Sequence, residues 1–437
     1  MNERAKFIHA LKGLAFICFN GKKCDNKMHD VVISGAGPAG SKCAEVLASA
    51  GYKVALIEKD VNWRKPCGGG VSARIMKKYY PQLKKLNPVI KYGAIMFSGD
   101  YSKLEYKFKG RGEGSIVMDR LELDNLMRSV AVEAGAELFD KNISFDFVYR
   151  NQKIIGIKTK TPSGMKEYLG KLIVIADGMS SKLAVKSGLR GKWKITDLGM
   201  AKCAIMEGRS NLEKDMIYIY FRPYKGYGWI FPIDDNRYNI GCGTFEEANH
   251  DHNLNEIYEE FLNAPYIKEY FPEHSYKEIW KASYPLSAIG VLEKSLIGEN
   301  IMLIGDAAGF VSPISGEGIH PGIVSGQIAA ETAVKALKAG VISKKTLKPY
   351  KQHPNIKKII RNFKLKHSLV EFFYMNNGKN LNTMFKLAEN DEEFKRQVIN
   401  MFFFNAAPSE EFLTRVRTST LSIFTYFFHI ISFQIIP

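Results

Sequence analysis

Three groups of residues in this chain combine types and spacings that chemistry requires. The first is Gly35-Ala-Gly-Pro-Ala-Gly40, followed by Glu58. Asp30–Ser34 reads as a short buried strand, Ser41–Ala50 as a helix with Ala44, Leu47 and Ala48 turned inward, and Lys53–Glu58 as a second strand. A glycine turn between strand and helix offers free backbone N–H groups to a pyrophosphate. Gly35 is expected to permit the turn, Gly37 to admit the phosphates and Gly40 to let the helix pack on the strand. Glu58, at the tip of the next strand, is placed to accept hydrogen bonds from a ribose. An acid there favours an adenosine with a free 2′-hydroxyl.

The second group lies at the end of another strand, Asn300–Asp306, where Gly305-Asp306, Pro313 and Gly318 are spaced as G-D-x6-P-x4-G. An aspartate at a strand end is placed to hold a polyol chain. Gly316-Glu-Gly318-Ile319 leads into an alanine-rich helix and offers N–H groups to an electron-poor ring. Leu172–Gly178 is a further strand running into an acidic turn. Together these favour FAD over NAD, with one cofactor lying across a discontinuous domain.

The third group is Arg64-Lys-Pro-Cys-Gly-Gly-Gly-Val-Ser72. Cys67 has no partner nearby. The six cysteines (Cys18, Cys24, Cys43, Cys67, Cys203, Cys242) show no C-x-x-C pair and no zinc-finger histidine spacing. A disulfide framework and a structural metal are therefore not expected, and a reducing cytoplasm fits best. A thiol that acts chemically needs a basic neighbour, and Lys65 and Arg64 are near in sequence.

These groups must be held by an α/β fold: a discontinuous Rossmann-type FAD-binding domain, an inserted antiparallel β-sheet substrate domain and a helical C-terminal region. The boundaries expected over 437 residues are an N-terminal extension (1–27), a first FAD-binding part (28–194), the substrate sheet (195–295), a second FAD-binding part (296–340) and the helical region (341–437). The sheet expectation rests on alternation in "DMIYIYF" and "RYNIGCGTF". Between them lies Tyr227-Gly-Trp-Ile-Phe-Pro232, and Gly241-Cys-Gly243 closes the pattern. Beyond Gly340 the chain turns helical, basic and then aromatic, as in "EFFYMNN" and "NMFFFN".

The formal charge is +17, and Thr332–Val370 holds eleven Lys or Arg residues with no Asp or Glu. No helix-turn-helix, zinc-finger or RNA-binding signature accompanies that charge, so nucleic acid is not the expected partner. The run reads either as a solvated helical face or as a surface drawn to a phospholipid head group or anionic membrane face. The C-terminal "LSIFTYFFHIISFQIIP" is apolar but short of a span of about 20 residues, so peripheral membrane association is expected.

With these residues in place, the chain resembles the geranylgeranyl reductase family, of which the archaeal digeranylgeranylglycerophospholipid reductases look most similar, within the flavoproteins of the para-hydroxybenzoate hydroxylase fold. Pro66-Cys-Gly-Gly-Gly70, Y-x-W-x-F-P-x8-G-x-G from Tyr227 to Gly243, and the motif at Gly305 carry the resemblance. It implies that Gly35, Gly37, Ala39, Gly40 and Glu58 hold the pyrophosphate and ribose. Ala176 flanks the adenine side, and Cys67, Gly68, Gly70 and Arg120 reach the flavin. Asp306, Gly318 and Ile319 hold its ribityl chain and ring. The implied activity is hydride transfer from reduced flavin to C=C bonds of a geranylgeranyl lipid, with electrons from ferredoxin or NADPH. Tyr227, Trp229, Phe231 and Pro232 suit the wall of a channel, and Gly241 and Gly243 would let a polyprenyl chain pass. Cys67 is expected either to shape the channel or to donate the proton. Alternatives are an FAD-dependent monooxygenase, a reductase of a chlorophyll or quinone tail, and a non-catalytic prenyl carrier.

Overall fold

Val31, Val32 and Ile33 are fully buried, as a central parallel strand covered on both faces requires. The computed structural model describes residues 28–419 apart from 109–113, 223–224, 246–252, 273–274, 292–294 and 405. The extension 1–27 and the apolar tail from Leu421 lie outside the described residues. The first unit is β1 (Met28–Ser34), α1 (Pro38–Ser49) and β2 (Val54–Ile57). The helix begins at Pro38, earlier than the pattern suggests. Gly37 is its N-cap, and a proline is preorganised for the first helical position.

The chain continues through β3 (Gly70–Ser72), α2 (Ala73–Tyr79), β4 (Ile90–Lys91), β5 (Gly93–Phe97), β6 (Lys103–Lys107) and β7 (Ser115–Val117). Next come α3 (Arg120–Glu133), β8 (Glu137–Phe139) and the meander β9 (Ile143–Arg150), β10 (Lys153–Thr161) and β11 (Gly164–Ile175). After the short α4 (Lys182–Lys186) follow β12 (Leu198–Gly208), β13 (Met216–Phe221), β14 (Gly226–Pro232) and β15 (Arg237–Phe245). Helices α5 (Leu254–Leu262) and α6 (Pro265–Tyr270) precede β16 (Tyr276–Ser287), β17 (Ile297–Gly298) and β18 (Ile301–Leu303). The remainder is helical: α7 (Ile319–Lys338), α8 (Lys344–Gln352), α9 (Pro354–Glu389), α10 (Glu392–Phe403) and α11 (Glu410–Ser419).

One sheet runs β17-β18-β11-β1-β2-β8, with β10 and β9 extending from β11. Its centre is parallel: β11, β2 and their outer neighbours β18 and β8 all run with β1. Strand β18 returns from late in the sequence to lie beside β11, so this sheet is discontinuous in sequence. Helix α7 lies against α1, and a Cβ on Gly326 would overlap the Ala39 carbonyl, so only glycine lets these backbones touch.

The other large sheet runs β16-β12-β15-β14-β13-β5-β6. All its pairings are antiparallel except β13 with β5. Strands β5 and β6 come from the span the sequence reading gave to the first FAD-binding part, so this sheet draws on two chain segments. Ile257, Phe261 and Ile267 of α5 and α6 pack on one face. Aromatic residues of α9 and α10, including Phe373, Phe385 and Phe402, pack on the other.

Candidate active site

A large cavity runs between the two sheets, and both contribute to its wall. At one end is the β1–α1 turn. Gly35 has φ of +98°, and a Cβ there would overlap the Ala176 carbonyl; one on Gly40 would overlap the Gly35 carbonyl oxygen. Those two glycines let the turn close on itself and on the end of β11. Gly37 differs, since an added Cβ would meet nothing within 4 Å and the residue faces the cavity. A side chain at Gly37 would therefore project into the cavity without meeting protein.

Glu58 is almost fully buried and anchored by backbone. One carboxylate oxygen accepts the Ala36 N–H at 2.8 Å and the other accepts Lys59 N–H at 2.9 Å. A carboxylate has about four acceptor sites, which leaves capacity for ribose hydroxyls. Beside Ala176, Asp177 Oδ1 is buried without a hydrogen-bond partner among the described residues. Burial pushes this carboxyl up to about 6. Sequence reasoning noted the acidic turn but did not assign Asp177 a role.

At the other end, Asp306 does not stand alone. Its carboxylate accepts a hydrogen bond from the Lys65 ammonium at 2.5 Å. Burial works against the charge on Lys65, but Asp306 outweighs it and holds the pKa above its ordinary value. A Cβ on Gly318 would come within 2.8 Å of Asp306 Oδ1, so glycine there leaves room for that carboxylate. Ile319 opens α7 and lines the cavity.

Between the two ends, Pro66–Gly70 crosses the cavity floor. The strained position is Gly69, which the sequence reading passed over: φ is +74°, and a Cβ would overlap the Met118 carbonyl. Gly68 lies against Phe231, whose ring is 2.7 Å from where a Cβ would stand. Asn239, also missed, ties the loop to the second sheet. Its amide donates to the Cys67 carbonyl at 2.8 Å and accepts the Trp229 indole N–H at 2.8 Å. An asparagine amid the buried apolar run of β15 was the available signal.

The basic neighbours that sequence proximity suggested for Cys67 are engaged elsewhere. Arg64 donates to Asp119 at 3.0 Å, and Lys65 pairs with Asp306. The cation beside the thiol is Arg120, which is buried at the start of α3 and held on both oxygens of Asp124. Burial opposes the Arg120 charge, yet Asp124 and Cys67 outweigh it and raise its pKa. The Cys67 sulfur also accepts the Gly69 N–H at 3.4 Å.

Tyr227, Trp229, Phe231 and Gly243 line the cavity; Gly40, Pro232 and Gly241 do not. A Cβ on Gly241 would strike the Trp229 indole, so this glycine makes space for the indole and not for a passing chain. Both polar tips of the aromatic wall are satisfied: Tyr227 donates to the Ser315 carbonyl at 2.6 Å, and Trp229 to Asn239. Burial and the neighbouring Cys67 and Glu317 push the Tyr227 phenol far up. The rest of this chamber comes from the C-terminal helices, through Val370, Phe373, Tyr374, Met384 and Phe402. The Tyr374 hydroxyl donates to the Gly226 carbonyl at 2.6 Å and pins α9 to β14.

These residues fit FAD. The open approach at Gly37, the spare acceptors of Glu58 and the unpartnered Asp177 oxygen suit an adenosine diphosphate, while Asp306 and the α7 start suit the ribityl and ring. Comparison with known proteins agrees. Residues 28–353 match the family described as FAD binding domain. A digeranylgeranylglycerophospholipid reductase of Methanococcoides burtonii is 30% identical over 331 residues, covering 74% of this chain and 79% of that protein. The crystal structure of a geranylgeranyl bacteriochlorophyll reductase-like protein of Thermoplasma acidophilum superposes with a TM-score of 0.76 at 22% identity, covering 90% of this chain and all of that one. A flavin-dependent brominase shares the fold, with a TM-score of 0.71 at 20% identity over 90% of this chain and 98% of its own.

Proposed function

The chain belongs to the FAD binding domain family and to the digeranylgeranylglycerophospholipid reductases, and from that membership we propose that it is an FAD-dependent oxidoreductase that hydrogenates C=C bonds of geranylgeranyl chains on a glycerophospholipid precursor. The observation that carries the reading is a cofactor groove opening, past the Cys67 loop, into a chamber walled by aromatic and aliphatic side chains. An unactivated alkene offers no carbonyl to polarise, so alignment in a dry site must do most of the work. FAD supplies hydride from its reduced ring when bound.

The protein's own residues do the rest. Gly37, Glu58 and Asp177 bind the adenosine diphosphate side, and Asp306 with Lys65 takes the ribityl side. Tyr227, Trp229 and Phe231 exclude water from the alkene and set its distance from the ring. The hydrogen bonds of Asn239 fix the Cys67 loop against that wall. Cys67 contacts substrate at the reaction face, its sulfur positioned by Arg120 and by the Gly69 N–H.

A polyprenyl lipid and an electron donor are the partners of such a reaction, with ferredoxin or NADPH as the donor. Among the described residues no helix is long and apolar enough to cross a membrane. The basic run of α7, α8 and α9 supports peripheral contact with an anionic leaflet, where each nearby Lys or Arg adds about 1 kcal/mol. Turnover of digeranylgeranylglyceryl phosphate under argon, followed by mass spectrometry, tests the activity. The lipid should gain hydrogen in pairs, and a gain of oxygen in air instead would establish a monooxygenase.

A further inference from the structure

A second cavity lies directly behind the first. Adjacent residues face opposite ways across the partition: Val71, Ile319 and Met401 line the first cavity, and Ser72, His320 and Asn400 line the second. Its mouth carries Arg74 and Lys78, one turn apart on α2, and Lys358 on α9. All three are exposed and none has an ion-pair partner among the described residues. Among the described residues no Asp or Glu lines this cavity.

Its wall holds a second, independent feature. Asn362 is only 7% exposed, and its side-chain amide makes no hydrogen bond among the described residues. Its amide is not sealed from solvent, so it reaches the cavity and can donate to a ligand there. Clustered cations repel one another. Burial first, then Arg74, Lys78 and Lys366, push His320 down to about 4, so the imidazole is neutral at pH 7 and leaves the positive charge to the rim. An anion with several oxygen acceptors would relieve the repulsion and accept from the Asn362 amide. The remaining lining is apolar and aromatic, with Tyr79, Ile359, Phe363 and Phe404.

We propose that this cavity binds a phosphate ester, with Arg74, Lys78, Lys358 and Asn362 on the phosphoryl oxygens and the ester's apolar or aromatic body against Tyr79, Phe363 and Phe404. The site does not depend on the alkene-reductase reading, because it shares no lining residue with the first cavity. Two sources carry this chemistry: the phosphoglycerol head of a lipid and the phosphates of a pyridine dinucleotide.

Calorimetric titration of the holoprotein with digeranylgeranylglyceryl phosphate in detergent, with NADPH, and with NADH distinguishes them. Wild type is compared with Arg74→Ala/Lys358→Ala and, separately, with Asn362→Leu, and bound flavin per chain confirms the fold of each. At least one phosphate ester should bind the wild type and lose about tenfold or more in affinity in both variants, most steeply at low salt. Loss for the lipid alone assigns a head-group site. Loss for NADPH assigns a donor site, and NADH reports how much of it rests on the 2′-phosphate. Equal affinity across the three proteins, or no binding of any probe at millimolar concentration, overturns the proposal.

Discussion

Cys67 is held from two sides, since Asn239 donates to its carbonyl and the Gly69 N–H reaches its sulfur, and the Arg120 charge lies nearby. A side chain so engaged organises its loop, and Cys67→Ser should keep full flavin and lower turnover by less than about tenfold. A loss of about a hundredfold or more with flavin retained would make it the proton donor, since that is the usual contribution of a general acid. Asp306→Ala removes the expected ribityl anchor and strands the Lys65 ammonium. FAD affinity, read by flavin fluorescence, should fall about ten- to a hundredfold; unchanged affinity would contradict that role. Asp177 gives a pH signature. Its carboxyl is pushed up from 3.8 to about 6 in the folded chain. The unfolded form therefore ionises more readily, and apoprotein stability is lost as pH rises between those values. The advantage of Asp177→Asn in melting temperature should grow from pH 4 to 6 and then level, whereas a constant difference would refute the burial account. Glu58 and Asp306 were legible in the sequence because an acid at a strand tip is a local signal. Asn239 and the Lys65–Asp306 pair were not, because they join residues far apart in the chain.

Among elements, the β1–α1 turn separates folding from binding. A Cβ on Gly40 would overlap the Gly35 carbonyl, but one on Gly37 meets open space, and Gly37 has φ of −76° that any residue adopts. Gly37→Ala should leave the apoprotein melting temperature within about 1 °C and weaken FAD binding. Gly40→Ala should lower the melting temperature itself. If both variants melt as wild type and bind FAD normally, the turn does not hold the pyrophosphate. This unit could be read from sequence because strand, turn and helix follow one another within a few tens of residues. Strands β5 and β6 escaped although "KLEYK" alternates between exposed charged residues and the more buried Leu104 and Tyr106, because such a pattern shows a strand but not the sheet it joins. Their place beside β13 is set by tertiary packing. Gly241 was misassigned for a related reason: only the fold brings the Trp229 indole over it.

For the whole molecule, a discontinuous, centrally parallel sheet and a second sheet wall one cavity from either side, and the C-terminal helices close the chamber between them. That closure was half legible. The aromatic repeats of "EFFYMNN" and "NMFFFN" indicated buried helix faces, but nothing local told what they cover. The basic run predicts that binding to vesicles containing an anionic phospholipid, followed by sedimentation, weakens several-fold between low salt and 0.5 M salt. Salt-independent binding would shift the contact to apolar surface. The central claim, that reduced cofactor in this chamber delivers hydrogen to a lipid alkene, is tested most directly without oxygen. The protein is reduced with one equivalent of dithionite, mixed under argon with digeranylgeranylglyceryl phosphate, and its flavin absorbance followed. Return of the oxidised band with the lipid gaining hydrogen in pairs is the predicted result. A flavin that stays reduced until air is admitted would contradict it.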